Sequence, residues 1–371
     1  MVSSQARKLK KNNSATTVFW AFSHGRLENG GDHRATQIAE LLASANRQTV
    51  VVERQRTRPP LWQAIWNIGR RMLLNWQLPS RFPRGWLTFA ADYQLCRDLQ
   101  AQHQPIDCLI MEATTEYQSI PLLKKLTRRL ILTPQNIESL GAQRTAVVER
   151  NSRSFGREVN AYAIADEIFT ISVDEMWMFQ LFGLSTKCLP YYPPEVLCER
   201  LREIRTARSA TTTKSQFLVL GTMSNPPTRE GTYELVQWLA GSSSEPLPSI
   251  AIAGNGTEVL QDETLPASVE ILGRVSNESL DELRRTIKGL IVHQRVTTGM
   301  ITRISESLVA GIPVLANVAA ARGYETTAGV HVYRDQDELL ELLQRDFPMP
   351  PIPPRPVFEE QQFLASVFGA G

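Results

Sequence analysis

Arg303 and Glu306 lie three residues apart near the start of a predicted helix in the segment 297–317, TTGMITRISESLVAGIPVLAN. Gly311 ends that helix, and an apolar strand follows. A helix N-terminus exposes unpaired N–H groups and the positive end of the helix dipole, so a phosphate can bind there beside Arg303. Glu306, one turn further along, can accept hydrogen bonds from sugar hydroxyls. The pattern is typical of a nucleotide diphosphate pocket, but alone it fits a solvated i,i+3 ion pair on a crossover helix equally well.

Glycines follow three other predicted strands, at the sheet edge where open α/β folds bind their ligands. Gly30 and Gly31 stand between the first strand and a helix that Asp32 is predicted to cap. Gly254 ends a second strand and Gly273 ends a third. Glycine lets the backbone approach a sugar or a phosphate closely, although a glycine pair is also common in an ordinary tight turn.

Short apolar or β-branched runs alternate with helical patterns along the chain. The predicted strands are 17–23, 49–52, 108–111, 130–133 and 168–171 in the first half, and 217–220, 250–253, 269–272, 290–292, 312–316 and 330–332 in the second. Strict alternation of strands and helices predicts parallel sheets that are covered on both faces. Each half has its own set of strands, so the predicted fold class is α/β with two sheets.

The predicted domain boundaries follow breaks in these patterns. A basic, polar tail at 1–15 is predicted to be disordered and precedes a first domain at 16–190. A proline pair and a small polar run interrupt the periodicity of 191–215, which is predicted as the linker. The second domain spans 216–345, and 346–371 holds a proline-rich extended stretch followed by a short closing helix.

Composition limits the class of protein. The chain has 371 residues, of which 42% are hydrophobic and 21% charged, and its net charge is +2. These values are typical of a soluble protein of about two domains and do not favour a nucleic-acid partner. The four cysteines lack zinc-ligand spacing, and no run reaches the roughly 18 apolar residues of a membrane span, so we expect a cytoplasmic protein with buried thiols. An Asp-x-Asp at 335–337 precedes a helix and is predicted to cap it, so no metal is expected.

Arginines and tryptophans are concentrated between residues 53 and 86. We define the Arg/Trp patch by Trp62, Trp66, Arg70, Arg71 and Trp76. On an amphipathic helix, such side chains suit an anionic lipid interface or an acceptor surface. The alternative is a helix packed on the first sheet with its arginines extending to solvent.

Taken in order, these motifs resemble the GT-B glycosyltransferases, in particular the retaining family 4. The matching segments of the second half are FLVLGTMS, IAIAGNG, LPASVEILGRVSNESLDELRR and RISESLVAGIPVLANVAAARGYE, over about 115 residues. In the first half FWAFSHGRLENGGDHRATQIAELLA, TPQNIESL and IADEIFTIS match more loosely. The resemblance implies a GT-B fold, in which two Rossmann-like domains with parallel sheets face a central cleft.

The resemblance also implies an activity: transfer of a sugar from a nucleotide-sugar to a glycan or lipid-linked acceptor, with retention and without a metal or a cofactor. Arg303 is implied to stabilise the leaving diphosphate, and Glu306 to hold the nucleotide ribose. The other implied donor-binding residues are Gly30, Gly31, Thr222, Gly254, Gly273, Val275, Thr298 and Gly299. A lipid-linked acceptor and the Arg/Trp patch together suggest work at the inner face of the membrane.

Two departures from the family pattern keep other functions open. Thr298 stands where many members have the first of two glutamates, the one that contacts the donor sugar. Thr222 and Met223 stand where an arginine is usual, and Arg229 is the nearest substitute for its charge. A catalytically silent GT-B subunit, acting as a scaffold or partner, fits these departures. A nucleotide-sugar epimerase is a third hypothesis, which requires acidic catalytic residues that the sequence does not identify.

Overall fold

The computed structural model describes residues 16–21, 29–53, 62, 65–66, 69, 96, 98–99, 101, 106–112, 117–141, 148–210, 216–241, 247–296 and 298–369. These residues form two six-stranded sheets in which every strand pair is parallel. Each of the eleven predicted strands overlaps an observed strand. The predicted α/β class with two parallel sheets is confirmed.

The first sheet has the strand order β2-β1-β3-β4-β5-β6. Its strands are β1 (Thr16–Ala21), β2 (Thr49–Glu53), β3 (Ile106–Met111), β4 (Thr127–Leu132), β5 (Glu167–Thr170) and β6 (Thr186–Cys188). The helices of this part of the chain are α1 (Gly30–Ser44), α2 (Ile120–Lys124), α3 (Glu138–Gly141), α4 (Val148–Tyr162) and α5 (Val173–Leu181). Strand β6 was not predicted, because its sequence, TKC, is too short and too polar to show a strand pattern.

The second sheet has the strand order β12-β11-β10-β7-β8-β9. Its strands are β7 (Gln216–Leu220), β8 (Ser249–Ala253), β9 (Val269–Gly273), β10 (Gly289–Val292), β11 (Val314–Asn317) and β12 (Val330–Tyr333). The remaining helices are α6 (Glu195–Ala210), α7 (Pro226–Ala240), α8 (Asn277–Thr286), α9 (Thr302–Val309), α10 (Val318–Ala321), α11 (Gln336–Leu343) and α12 (Val357–Phe368). All four residues of the central strand β10 are buried, as a strand covered on both faces requires.

The strand orders fix where ligands can enter. In the first sheet the order of the strands reverses beside β1, because β2 pairs with one side of β1 and β3 with the other. In the second sheet it reverses beside β7, which pairs with both β8 and β10. Open α/β sheets bind ligands in the crevice outside the carboxyl ends of strands at such reversals. The loop residues 221–225, 293–296 and 298–301 therefore flank the crevice of the second sheet, which we call the donor crevice.

Most of the segment predicted as the linker, 191–215, is helical. Helix α6 buries Leu197, Leu201 and Ile204 in the core beside the second sheet. Arg208 on the same helix is buried and donates to the carbonyl oxygens of Gly311, Arg284 and Ile287. The helix was not predicted, because charged residues lie between the apolar positions of α6 and obscure their regular spacing in the sequence.

The closing helix α12, which was predicted, packs on the first sheet. The Phe363 ring meets Phe169 of β5 edge to face, with the ring centroids 5.1 Å apart. Lys187 of β6 donates to Ser366 at 3.0 Å, and Arg129 of β4 donates to the carbonyl oxygen of Val367 at 3.2 Å. The chain thus passes from the first sheet to the second and returns, so two connections tie the halves together.

Candidate functional site between the two sheets

Arg303 lies in the donor crevice, in the first turn of α9. Its Nη2 donates to the side-chain oxygen of Gln294, the second residue after β10, at 3.1 Å. Its Nη1 is 3.9 Å from the point where a Cβ on Gly221, the residue after β7, would lie. The side chain therefore spans the gap between the two strands at which the sheet reverses. It is the predicted phosphate-binding position.

No carboxylate among the described residues pairs with Arg303. The residue is half-buried, and its Nε is shielded from solvent and has no hydrogen-bond partner in the described part of the chain. Burial lowers the pKa of the Arg303 guanidinium to about 10, and the nearby charge of Glu306 opposes that shift. The group is still protonated at neutral pH, so the crevice holds a cation whose hydrogen-bonding capacity is not fully used.

Glu306 is buried, and two of its partners lie outside the second domain. Its Oε1 accepts a hydrogen bond from the Tyr191 hydroxyl at 3.0 Å and lies 2.7 Å from Nδ1 of His33 on α1. Arg284 of α8 lies 3.8 Å from the other oxygen. Burial acts to raise the pKa of Glu306, but His33, Arg284 and Tyr191 together hold it below its usual value. The alternative of a solvated Arg303–Glu306 ion pair is wrong, because Glu306 is buried with other partners.

The two glycines of the first sheet's loop are the first two residues of α1. A Cβ on Gly30 would lie 2.6 Å from the Thr302 hydroxyl, so the missing side chain lets the start of α1 approach the start of α9. The cap of α1 is Asn29, whose side chain accepts from the Asp32 N–H at 3.1 Å. The prediction that Asp32 caps this helix is therefore wrong, because the cap lies three residues earlier and Asn serves as well at that position.

The loop that precedes α9 is held at Gly299. Its φ of +76° lies in the left-handed region that favours glycine. The Gly299 N–H donates to Oε1 of Glu175 at 2.7 Å, and its carbonyl oxygen accepts from Arg322 at 2.5 Å. The hydroxyl of the neighbouring Thr298 donates to the carbonyl oxygen of Ile137 at 3.4 Å. Glu175 and Ile137 belong to the first half of the chain, so this loop also touches both halves.

The sequence motifs do not identify Glu175 as a residue of this site. Burial raises the pKa of its carboxyl to about 7, against the opposing influence of the Gly299 N–H, Arg322 and the Ile137 N–H. Its second oxygen is shielded and makes no hydrogen bond of normal geometry with the described residues. The only local signal is a Ser-x-x-Glu pattern, in which the Ser172 side chain caps α5 through the Glu175 N–H. That signal indicates a helix start and says nothing of a partner 124 residues away.

One of the glycines predicted to face the donor, Gly254, is explained by close backbone packing. Gly254 has a φ of +145°, and a Cβ on it would overlap the carbonyl oxygen of Gly221. Its N–H donates to the Gly273 carbonyl at 2.8 Å, which ties the ends of β8 and β9 together. Val275 is half-buried, and Thr222 is exposed with its hydroxyl 2.9 Å from that of Ser224. The structure gathers these residues at one edge of the sheet, and their contact with a donor stays a prediction.

A cavity of about 690 Å³ lies between the two halves beside this loop. Residues of the first half that line it include Ile137, Leu140 and Glu175, and those of the second include Arg295, Thr298 and Arg322. Its volume is in the range of small-molecule sites, and its lining combines apolar side chains with a few charged ones.

The Arg/Trp patch is described only in part. Trp62 and Trp66 are 71% and 68% exposed, which disfavours the core-helix alternative for these two side chains. Arg70, Arg71 and Trp76 lie outside the described residues, as does the basic tail.

Several predictions concern metals, thiols and membranes. Among the described residues, no group of three His, Cys, Asp or Glu side chains could hold a metal ion. Asp335 caps α11 by accepting from the Glu338 N–H at 2.9 Å, as predicted. Three cysteines, Cys96, Cys108 and Cys198, are buried, whereas Cys188 is half-buried. In the part of the chain that the structure covers, no helix has the length and apolarity needed to span a membrane.

Comparison with known proteins gives likeness in structure only. No family model and no curated protein matches the sequence. The sucrose-phosphate synthase of Thermosynechococcus elongatus is 14% identical, with a TM-score of 0.60 over 90% of this chain and 89% of that one. A trehalose-6-phosphate synthase from Burkholderia multivorans is 13% identical, with a TM-score of 0.61 over 95% and 93%. Anabaena Alr3699/HepE in complex with UDP is 12% identical, with a TM-score of 0.56 over 96% of each chain. The chain has the GT-B fold of two Rossmann-like domains, as the sequence motifs predicted.

Proposed function

We propose that the protein transfers a glycosyl group from a nucleotide-sugar donor to an acceptor. The observation that carries this proposal is Arg303, a cation without a carboxylate partner among the described residues, placed where α9 begins and the second sheet reverses. A nucleoside diphosphate supplies the negative charge that this crevice lacks. The fold supports the same function, since HepE, which shares it, was solved with UDP and with UDP-glucose.

The chemistry follows from where charge develops. When the bond between the anomeric carbon and the phosphate oxygen breaks, its electron pair stays on the leaving diphosphate. Arg303 and the N-terminus of α9 stabilise that charge, which is the main catalytic contribution we assign to the protein. The acceptor hydroxyl bonds to the anomeric carbon and gives its proton to the departing phosphate oxygen. We propose retention of configuration and no metal, as the family resemblance implies.

Glu306 has the role of ribose binding in this proposal. Its carboxylate now accepts hydrogen bonds from His33 and Tyr191, so a ribose must share or replace these partners. The same contacts are the observation that favours a second candidate function, a catalytically silent GT-B subunit in which the position is filled by the protein itself. Thr298, which stands where the family usually has a glutamate, also favours a silent subunit.

We propose a glycan or lipid-linked acceptor, with the exposed Trp62 and Trp66 at an anionic membrane surface. The proposed location is the cytoplasm, at the inner face of the membrane.

The test is a screen of nucleotide-sugars with the purified full-length chain. Calorimetry with UDP, GDP and ADP reports binding, and product analysis with UDP-glucose, UDP-galactose, UDP-N-acetylglucosamine and GDP-mannose distinguishes transfer or hydrolysis from epimerisation. Binding of one diphosphate and release of free sugar support the proposal. A silent subunit binds none of the diphosphates, and an epimerase returns a nucleotide-sugar with an altered sugar.

A further inference from the structure

The loop at 298–299 depends on side chains of the other domain for its shape. Glycine is the residue with the largest backbone freedom, so a loop centred on Gly299 has no intrinsic reason to keep a φ of +76°. Both polar groups of that residue are nevertheless bound, the N–H by Glu175 and the carbonyl oxygen by Arg322. Arg322 in turn lies 3.4 Å from the carboxylate of Asp174, the neighbour of Glu175 on α5. One turn of α5 thus holds the loop from two sides.

This arrangement is costly for stability. Glu175 is only 2% exposed, and one of its oxygens is enclosed and makes no hydrogen bond of normal geometry with the described residues. Burying a carboxylate with incomplete hydrogen bonding is unfavourable, and native proteins tolerate such groups mainly at functional sites. This unfavourable burial provides the acceptor for one backbone N–H in the donor crevice, that of Gly299.

The held loop lies close to both the cavity and the predicted phosphate site. Thr298 lines the cavity between the domains, and Gly299 precedes Arg303 by four residues. Four extended residues span at most about 14 Å, which sets an upper limit on the separation of the loop from the diphosphate site. A sugar attached to that diphosphate comes within reach of the loop.

We propose that Glu175 is a positioning residue for the donor sugar: it fixes loop 298–299, through the Gly299 N–H, in the conformation that contacts the sugar. The inference rests on the proposed function and assigns to α5 a role that the sequence motifs do not indicate. Glu175 itself touches neither the nucleotide nor the reacting atoms in this account. Its carboxylate supports the loop at a place where Thr298 has replaced the usual acidic side chain.

The experiment compares three variants with the wild type in binding of UDP and UDP-glucose by calorimetry. Glu175→Ala removes the acceptor of the Gly299 N–H, whereas Glu175→Gln keeps an oxygen for that bond. Glu158→Gln is the matched control, because Glu158 is also a buried carboxylate that accepts from backbone N–H groups, those of Glu138 and Ser139, in the first domain. We expect UDP affinity to stay within twofold in all variants. The gain in affinity that the glucose provides should fall at least fivefold in Glu175→Ala and recover in Glu175→Gln.

Hydrogen exchange of the Gly299 amide tests the same inference without a ligand. We expect Glu175→Ala to abolish its protection while α9 stays protected, and Glu175→Gln to restore it. The inference is overturned if the Gly299 amide exchanges at the wild-type rate in Glu175→Ala, or if that variant loses affinity for UDP and UDP-glucose by the same factor. Failure of the wild type to bind any diphosphate contradicts the proposed function, while the exchange result still decides the role of Glu175.

Discussion

The crevices at the carboxyl ends of the two sheets differ in how their described charged side chains are paired. In the first, the acidic side chains have partners: Asp32 accepts from Asn29 at 2.9 Å, and the buried Glu112 accepts from Gln135. In the second, the basic side chain of Arg303 has no carboxylate partner among the described residues. An anion in the second crevice therefore meets a cation that pairs with no described carboxylate. Two sheets of the same architecture thus present differently paired charged side chains to a ligand.

We expect the largest loss of stability from a substitution in the backbone of the second crevice. Gly254→Ala places a Cβ on the Gly221 carbonyl at a φ of +145°, so we expect a loss of about 3 kcal/mol or more of unfolding free energy. The measurement is urea unfolding. Gly183→Ala is the control, because Gly183 also has a positive φ, of +77°, but has open space around it and should lose only about 1–2 kcal/mol. Equal losses at the two glycines would show that the close contact with Gly221 is unimportant.

Glu175 should make stability fall as pH rises. Its pKa in the folded protein, about 7, is above the ordinary value of 4.5, so the protonated form is favoured by folding. The stabilising effect is complete below pH 4.5 and is lost as pH rises to about 7. Glu175→Gln removes this dependence, so above pH 7 the variant should be more stable than the wild type by up to about 3 kcal/mol. The measurement is unfolding at a series of pH values from 4.5 to 8.

Asp166→Asn provides a control of opposite sign. Burial acts to raise the pKa of Asp166, but Lys124 and the Leu130 N–H lower it below its usual value. The wild-type carboxylate therefore stabilises the protein at neutral pH, and the variant should lose stability there and not in acid. If Glu175→Gln, like Asp166→Asn, were less stable than the wild type at neutral pH, the burial of an unfavourable charge at Glu175 would be contradicted.

Substitution of Glu306 should show whether this residue binds the nucleotide ribose. Glu306→Ala is expected to weaken UDP binding about tenfold, the value of one good hydrogen bond to a charged group. Binding of 2′,3′-dideoxy-UDP should change little, because that nucleotide lacks the hydroxyls that Glu306 binds. Calorimetry with both nucleotides gives the two ratios. Equal losses for the two would assign Glu306 to holding His33 and Tyr191 across the domain interface instead.

The smallest effect is expected at the Arg/Trp patch. We expect the wild type to co-sediment with phosphatidylserine-containing vesicles at low salt and not with neutral ones, since each basic residue near such a surface contributes about 1 kcal/mol. Replacing Trp62 and Trp66 with Ser should weaken this binding, while UDP affinity stays unchanged. A wild type that ignores anionic vesicles would favour a soluble acceptor.

Local patterns and distant contacts differ in how far the sequence could predict them. Eleven of the twelve described strands and the position of Arg303 at a helix start follow from periodicity and glycine placement within short windows. The partners of Glu306 and Gly299 do not, because His33 and Glu175 lie 273 and 124 residues away and meet them only when the domains pack together. The same limit explains Arg208, whose guanidinium donates to carbonyl groups of two other segments, at the end of α8 and at Gly311.

The most direct test of this account is the affinity of Arg303→Gln for UDP, measured by calorimetry beside the wild type. Arg345→Gln is the control, because Arg345 is an exposed arginine paired with Glu341 on α11, away from the crevice. A charge-assisted contact is worth about 1.5–3 kcal/mol, so we expect UDP to bind about 10- to 100-fold more weakly to Arg303→Gln and unchanged to Arg345→Gln. Equal UDP affinity in the wild type and Arg303→Gln would contradict the assignment of the donor crevice.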